Sequence, residues 1–336
     1  MRSPVRLVRN IDAGRLLDTF LVASIATVLI TRFYLHLTGY PQVGSSSLHI
    51  AHLLPGTILM LVAILMMLAS INRSSRDTSA LIGGMGFGLV WDELGKFITK
   101  DNNYFFRPTV ALIYMTFVLI YLLTRYVVRR SYTPGDYLAN ALNLITEAAI
   151  DDLDPREYKQ ARQLLQKADS SHPLYKPTQE MLERVKPTQT YQPFLLERFL
   201  AVLHAPFSWL AKQSWFRLLL LAAFYIYGVS LVLTAVVLVA TGNTDPLSDL
   251  LVNPRFNTNA IATAASVLSA LFVLWGIVRL HQGNVKNALQ RFETAVLINI
   301  FITQTFLFLQ YQFSATIALV IALAILFSVR MLLAEE

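Results

Sequence analysis

Asp92 and Glu93 stand side by side in LVWDELGKF, within residues 79–107, an otherwise largely apolar stretch long enough to cross a bilayer. A carboxylate at membrane depth is costly unless it is protonated, paired or metal-bound, so two in succession mark a functional site by default. Arg32 and His36 share a helical face at i, i+4, and His49 and His52 share another at i, i+3. Lys96 follows Asp92 by one turn, on the same face, while Glu93 points roughly 100° away. Asp101, Asn103 and Arg107 come next along the chain.

Three kinds of chemistry fit these residue types. His49, His52 and Asp92 are candidate ligands for a divalent zinc, iron or manganese ion, with one position left open for water, the catalytic form of such a site. Asp92 and Glu93 are the candidate catalytic residues, one as ligand and the other as general base. Arg32, Lys96 and Arg107 are candidate substrate-binding cations, suited to the phosphate of a lipid headgroup. His36, Asp101, Asn103 and Gln304 are secondary candidates. A plainer alternative stands beside each: the histidines cap a helix or bond loop carbonyls, and the acids lock helices together with Arg32 and Lys96. Gly83, Gly84, Gly86 and Gly88 thin the same helix, and close helix packing is the favoured reading of that stripe.

The elements that position these residues follow from composition. The chain has 336 residues, 55% of them hydrophobic and 15% charged. That balance, with repeated apolar runs of about twenty residues, indicates an all-α polytopic membrane bundle. We expect about eight spans, near 16–38, 50–71, 79–98, 108–128, 216–241, 260–280, 293–310 and 313–333. Cys is absent, which excludes disulfides and thiolate chemistry. The net charge of +7 punctuates the ends of apolar runs, so it speaks for membrane topology and against nucleic acid. Arg2, Arg6, Arg9, Arg15, Arg73, Arg76, Arg129, Arg130, Arg279, Lys286, Arg291 and Arg330 all fall on one side if both termini are cytoplasmic. The expected location is therefore the cell membrane, multi-pass. The first run is long enough to span and is not followed by a small-residue cleavage site, so a cleavable signal is not expected. In this topology the ends of the first three spans meet on the non-cytoplasmic side, bringing both charge signs and three imidazoles to one depth.

The expected organisation is a first four-span half at 1–130, a cytoplasmic helical insert at 131–192, an interfacial amphipathic helix at 193–215 and a second four-span half at 216–336. In the insert, Asp154-Pro155 starts a helix and His172-Pro173 ends it. Its segment YKQARQLLQKADSSHPLY resembles the second helix of a tetratricopeptide repeat over little more than one helix, whereas such arrays need three or more units. A small hairpin docked on the bundle is the favoured reading, and one that binds a protein partner the other. Trp209, Trp215 and Pro206 mark the interfacial helix.

GSSSLH (44–49) and WDEL (91–94) are similar to elements of the alkaline ceramidase group, seven-span metal-dependent lipid hydrolases. Ser45 and His49 match that group's Ser-x-x-x-His element, and Asp92 stands where its next span carries an Asp. The late His-x-x-x-His of that group has no counterpart here, the His-to-Asp interval is longer, and an insert divides eight spans rather than seven. The similarity implies a type of site and no family membership.

Taken together, the first functional expectation is a membrane-embedded, metal-dependent hydrolase or transferase acting on a lipid or lipid-linked substrate, with membrane lipid as its partner. The alternative is a proton- or cation-coupled transporter using Asp92 and Glu93. A second alternative is a membrane scaffold acting through the cytoplasmic insert.

Overall fold

A computed structural model describes residues 7–38, 44–45, 48–49, 52–94, 98, 108–128, 131–187, 213, 215–216, 218–226, 229 and 258–335. Of His36 and His49 only the backbone is described. Lys96, Asp101, Asn103, Arg107, most of the interfacial helix and most of the fifth expected span lie outside the described residues. By its internal contacts the chain divides into two units, Met1–Tyr104 with Phe117–Leu196, and Phe105–Thr116 with Glu197–Glu336.

The first unit is built on α1 (Ala13–Thr38), α2 (Leu53–Ala69) and α3 (Arg73–Asp92). Between α1 and α2 a short antiparallel pair, β1 (Gly44–Ser45) and β2 (Leu48–His49), sets Gly44 opposite His49. Helix α3 packs along both α1 and α2. Its glycines make that possible. A Cβ at Gly84 or Gly88 would overlap the carbonyl oxygens of Phe20 and Ser24 on α1, and Gly86 lies against Gly56 of α2 in the same way. Small residues four apart let helix backbones approach where lipid provides no hydrophobic drive between them. The glycine stripe thus serves packing. Phe87 fills the flank, its ring 5.4 Å from Phe20 and 6.1 Å from Phe117.

Helix α3 begins six residues before the expected start at 79, running back through charged residues because those charges find partners. The Arg73 guanidinium donates to Asp12 at 2.8 Å and to Glu157 at 2.9 Å, and Arg15 pairs with Asp77 at 2.7 Å.

After α4 (Pro108–Val128) come three short amphipathic helices, α5 (Pro134–Ile145), α6 (Pro155–Lys167) and α7 (Tyr175–Arg184). Both α5 and α6 open with a capping box and a proline in the first turn. Thr133 pairs with Asp136, and Asp154 pairs with Glu157. Glu157 does two jobs, since Oε2 closes the box on the Asp154 N–H at 3.0 Å while Oε1 holds Arg73. The helix begun at Pro155 stops at Lys167, with Ala168 already extended, and His172-Pro173 lies in the following turn. The expected helix end at His172 was therefore five residues too late. Leu138, Leu144, Ala161, Leu164 and Leu182 give these helices a core of their own, and Ile11 from the N-terminal segment packs on it. That segment is stitched on. The Ile11 N–H donates to Asn140 Oδ1 at 2.8 Å, and Asn140 Nδ2 donates to the Arg9 carbonyl at 2.6 Å.

The second unit contains a helix over 218–226, then α8 (Thr258–His281), α9 (Val285–Ile298), a π-helical turn (Asn299–Thr303), α10 (Gln304–Tyr311), a 3₁₀ turn (Gln312–Ala315) and α11 (Thr316–Glu335). Laid straight, the 49 residues from Val285 to Leu333 would measure about 74 Å, far beyond a hydrocarbon core of about 30 Å. The run instead folds back. Gln312 has φ 51°, and α11 packs against α9 and α10. The core centres on Phe292, fully buried and stacked on Phe224 at 4.3 Å.

Among the described residues, four helical stretches are long and apolar enough to cross a membrane: Ala13–Leu35, Pro108–Val128, Ala264–His281 and Val285–Leu333. Helix α2 is apolar as well but has only 17 residues. It is built inside out for water: it buries Gly56 and Ala63, while Leu54, Ile58, Leu61, Leu65 and Leu68 are each more than half exposed. Faces of this kind suit a nonpolar surrounding, and the described fold is helical with four stretches that could cross a membrane.

Candidate functional site

The site lies where α1, α2 and α3 end near one another within the first unit. Adjacent residues on a helix diverge by about 100°, so Asp92 and Glu93, at the end of α3, face different neighbours. Asp92 faces α1 and is fully buried. Arg32, itself 9% exposed, donates through Nε to the Asp92 carboxylate and through Nη2 to the Asp92 main-chain carbonyl at 2.7 Å. The guanidinium therefore neutralises a buried acid and also caps a carbonyl at the C-terminal end of α3, where a cation is favoured.

Glu93 faces α2 and is 2% exposed. Its Oε1 accepts the main-chain N–H of His52, the residue just before α2, at 3.2 Å. A carboxylate at a helix N-terminus meets unsatisfied N–H groups and the positive end of the helix dipole. His52 has no side-chain capping bond of its own. Its Nδ1 instead lies 3.5 Å from Glu93 Oε1 and 3.8 Å from Asp92 Oδ2, both beyond hydrogen-bond length, while about a third of the side chain stays accessible (32%).

Of the expected site residues, Arg32, His52, Asp92 and Glu93 are thus brought together. The backbone of His36 lies on α1, one turn beyond Arg32, and that of His49 on β2. Gln304 belongs to the second unit, buried at the start of α10, with Nε2 donating to the Ala315 carbonyl at 2.7 Å. Among the described residues no three His, Asp or Glu side chains are arranged to hold a metal ion. Of the three ligands expected, Asp92 is already engaged by a guanidinium, a competitor for the oxygen a cation would take.

Sequence reasoning missed a second polar cluster, around Arg73. Besides Asp12 and Glu157, Arg73 offers its main-chain N–H to Glu147 at 2.8 Å. Burial raises the Glu147 carboxyl above its usual range, the neighbouring charges of Glu157 and Asp152 add to this, and the Arg73 N–H and Arg76 work against it. The capping motif at 154–157 was a visible signal for one member, but its reach to Arg73 is tertiary.

No family model matches this chain, and neither a curated protein nor a solved structure matches it.

Proposed function

We propose that the chain is a membrane-embedded enzyme acting on a lipid or lipid-linked substrate, with His52 as its proton acceptor and donor. One observation carries this reading: the Nδ1 edge of an accessible imidazole is turned toward two buried carboxylates. Such partners set the ring's tautomer and orientation and leave Nε2 for chemistry. Asp92 and Glu93 then act as orienting groups, and Arg32 holds Asp92 in place. The contacts are long for hydrogen bonds, as catalytic contacts often are before substrate binds. Lys96 and Arg107 follow in sequence as the cations for an anionic headgroup.

In this reading about eight helices span the cell membrane, both termini are cytoplasmic, and residues 131–192 form a helical insert on that side. The site then opens toward the opposite leaflet. The fold-back at Gln312 supports two spans within Val285–Leu333, and the inside-out face of α2 supports a span there. A divalent ion held by His49, His52 and Asp92 is the metal-assisted form of the same proposal, and it requires Asp92 to exchange Arg32 for the ion.

The test is conversion of lipids in vesicles by the purified chain, read by mass spectrometry, alongside elemental analysis. Turnover that vanishes in His52→Ala without any bound metal supports the acid–base form. Stoichiometric metal that is lost in His49→Ala/His52→Ala supports the metal-assisted form. A second reading, a proton- or cation-coupled transporter, draws on the same two acids at membrane depth. Ion flux into proteoliposomes that is abolished by Asp92→Asn, with every lipid unchanged, would replace the enzyme reading with this one.

A further inference from the structure

The second unit holds a cavity of about 380 Å³ walled by the 218–226 helix, α8, α9, α10 and α11. That volume lies within the usual range of small-molecule sites, roughly 300–1,000 Å³. Its wall is apolar, with Phe224, Val273, Leu307 and Ala322 among the lining, except for Ser269, Asn299 and Gln304. Ser269 donates its hydroxyl to the Ala295 carbonyl at 2.9 Å. Gln304 is different. It is fully buried, its Nε2 is committed to the Ala315 carbonyl, and its Oε1 has no hydrogen-bond partner among the described residues.

The Ala315 bond also fixes which end of the amide is which, because only Nε2 can donate to a carbonyl. What remains at Oε1 is an acceptor with two lone pairs. Leaving such a group buried and unmet is unfavourable, and retained cases call for an explanation. The local backbone is also specialised. Gln304 directly follows the π-helical turn at Asn299–Thr303, a rare element that occurs frequently at functional sites. The Ile300 carbonyl within that turn is taken by the Tyr114 hydroxyl.

We propose that this cavity binds a single-chain apolar molecule bearing one hydrogen-bond donor, such as a long-chain alcohol, with the donor received by Gln304 Oε1 and the chain lying along the apolar wall. This cavity is formed within the second unit and the His52 site within the first, and its ligand need not be a substrate. A chain with no donor fills the same volume but leaves the amide oxygen unmet, and that difference is what the site reads.

The experiment uses the full chain in nanodiscs and two photoreactive probes, a diazirine-bearing dodecanol and its methyl ether, which share a chain and differ at the oxygen, where a methyl group replaces the donor hydrogen. Cross-linked peptides are mapped by mass spectrometry. We expect the alcohol to label the cavity-lining segments of α8 to α11 more than the ether, by on the order of ten-fold. Gln304→Met should bring the two probes to parity, and Ala322→Phe, which fills the space, should remove labelling by both. Equal labelling by alcohol and ether in the unsubstituted protein would overturn the proposal, and that comparison does not depend on any variant folding. So would an alcohol preference that survives in Gln304→Met.

Discussion

Arg32 holds Asp92 at two points, the carboxylate through Nε and the main-chain carbonyl through Nη2 at 2.7 Å. One side chain thus ties α1 to the end of α3 by charge and by capping together. Arg32→Met removes both and leaves Asp92 buried without its guanidinium. Breaking a buried pair from one side costs about 3–5 kcal/mol, whereas replacing both partners with apolar groups costs far less. We expect Arg32→Met to destabilise strongly and Arg32→Met/Asp92→Leu to recover at least half of the loss in a double-mutant cycle of detergent-phase unfolding. Arg32→Lys should fall between, because an ammonium lacks the planar fork that reaches two acceptors at once.

The glycines of α3 allow a sharper contrast. At Gly84 and Gly88 the obstacle to a Cβ is the backbone of α1, which cannot step aside as a flexible side chain can. Overpacking of this kind costs about 1–3 kcal/mol or more. At Gly135, in the first turn of α5, the nearest atom to a Cβ is Thr133 Oγ1 at 3.9 Å, and φ is not positive. Alanine there should be neutral or stabilising by about 0.4–1 kcal/mol, through the unfolded chain's lost freedom. Thermal unfolding of Gly84→Ala, Gly88→Ala and Gly135→Ala checks the ordering, and a Gly135→Ala as damaging as Gly88→Ala would contradict it.

Hydropathy and length made the helices themselves legible. The expected spans at 16–38, 50–71 and 108–128 overlay α1, α2 and α4 within a few residues. The break expected between 310 and 313 falls on Gln312, whose φ is 51°, although no Gly or Pro marks it. The start of α6 was written in Asp154-Pro155, a local signal, whereas its end at Lys167 was not. Charged helix starts were misjudged. Arg73, Arg76 and Asp77 resemble a loop by composition, and only the tertiary partners Asp12, Arg15 and Glu157 explain why α3 runs through them. At the site, the cost expected of charges at membrane depth pointed to Asp92, Glu93 and Arg32 and the i, i+3 histidine spacing to His52, and these four residues lie together at the ends of α1, α2 and α3. Which partner each acid takes was not legible. That Glu93 reaches the N-terminus of α2, forty-one residues back, depends on helix rotation about its axis, which spacing alone does not specify.

Gly276 on α8 faces the ring of Phe292, and a Cβ would run into the ring edge. Phe292 has nowhere to retreat, being fully buried and stacked face to face on Phe224. Gly276→Ala should therefore cost about 1–3 kcal/mol by overpacking. Gly276→Ala/Phe292→Leu should lose less than the two single changes added together, because the smaller side chain makes the room that alanine needs. Strict additivity in the unfolding free energies would place the strain elsewhere.

Glu147 supplies a pH test outside the spans. Its carboxyl is raised first by burial and then by the charges of Glu157 and Asp152, against the opposing effects of the Arg73 N–H and Arg76. A raised value means the folded chain holds that proton more tightly than the unfolded chain does. The stabilisation this gives is fully present below the unfolded carboxyl's value, about 4.3, and is lost as pH climbs through the folded one. Above that point the ionised side chain is a burden on the fold. Glu147→Gln carries no such burden, while its Oε1 can still accept the Arg73 N–H. We therefore expect the stability of Glu147→Gln relative to the unsubstituted protein to rise as pH climbs from about 4 through the folded carboxyl's raised value and then to level off. Unfolding midpoints of both proteins across that window measure it. A difference that stays constant with pH would show that Glu147 titrates alike in the folded and unfolded chain.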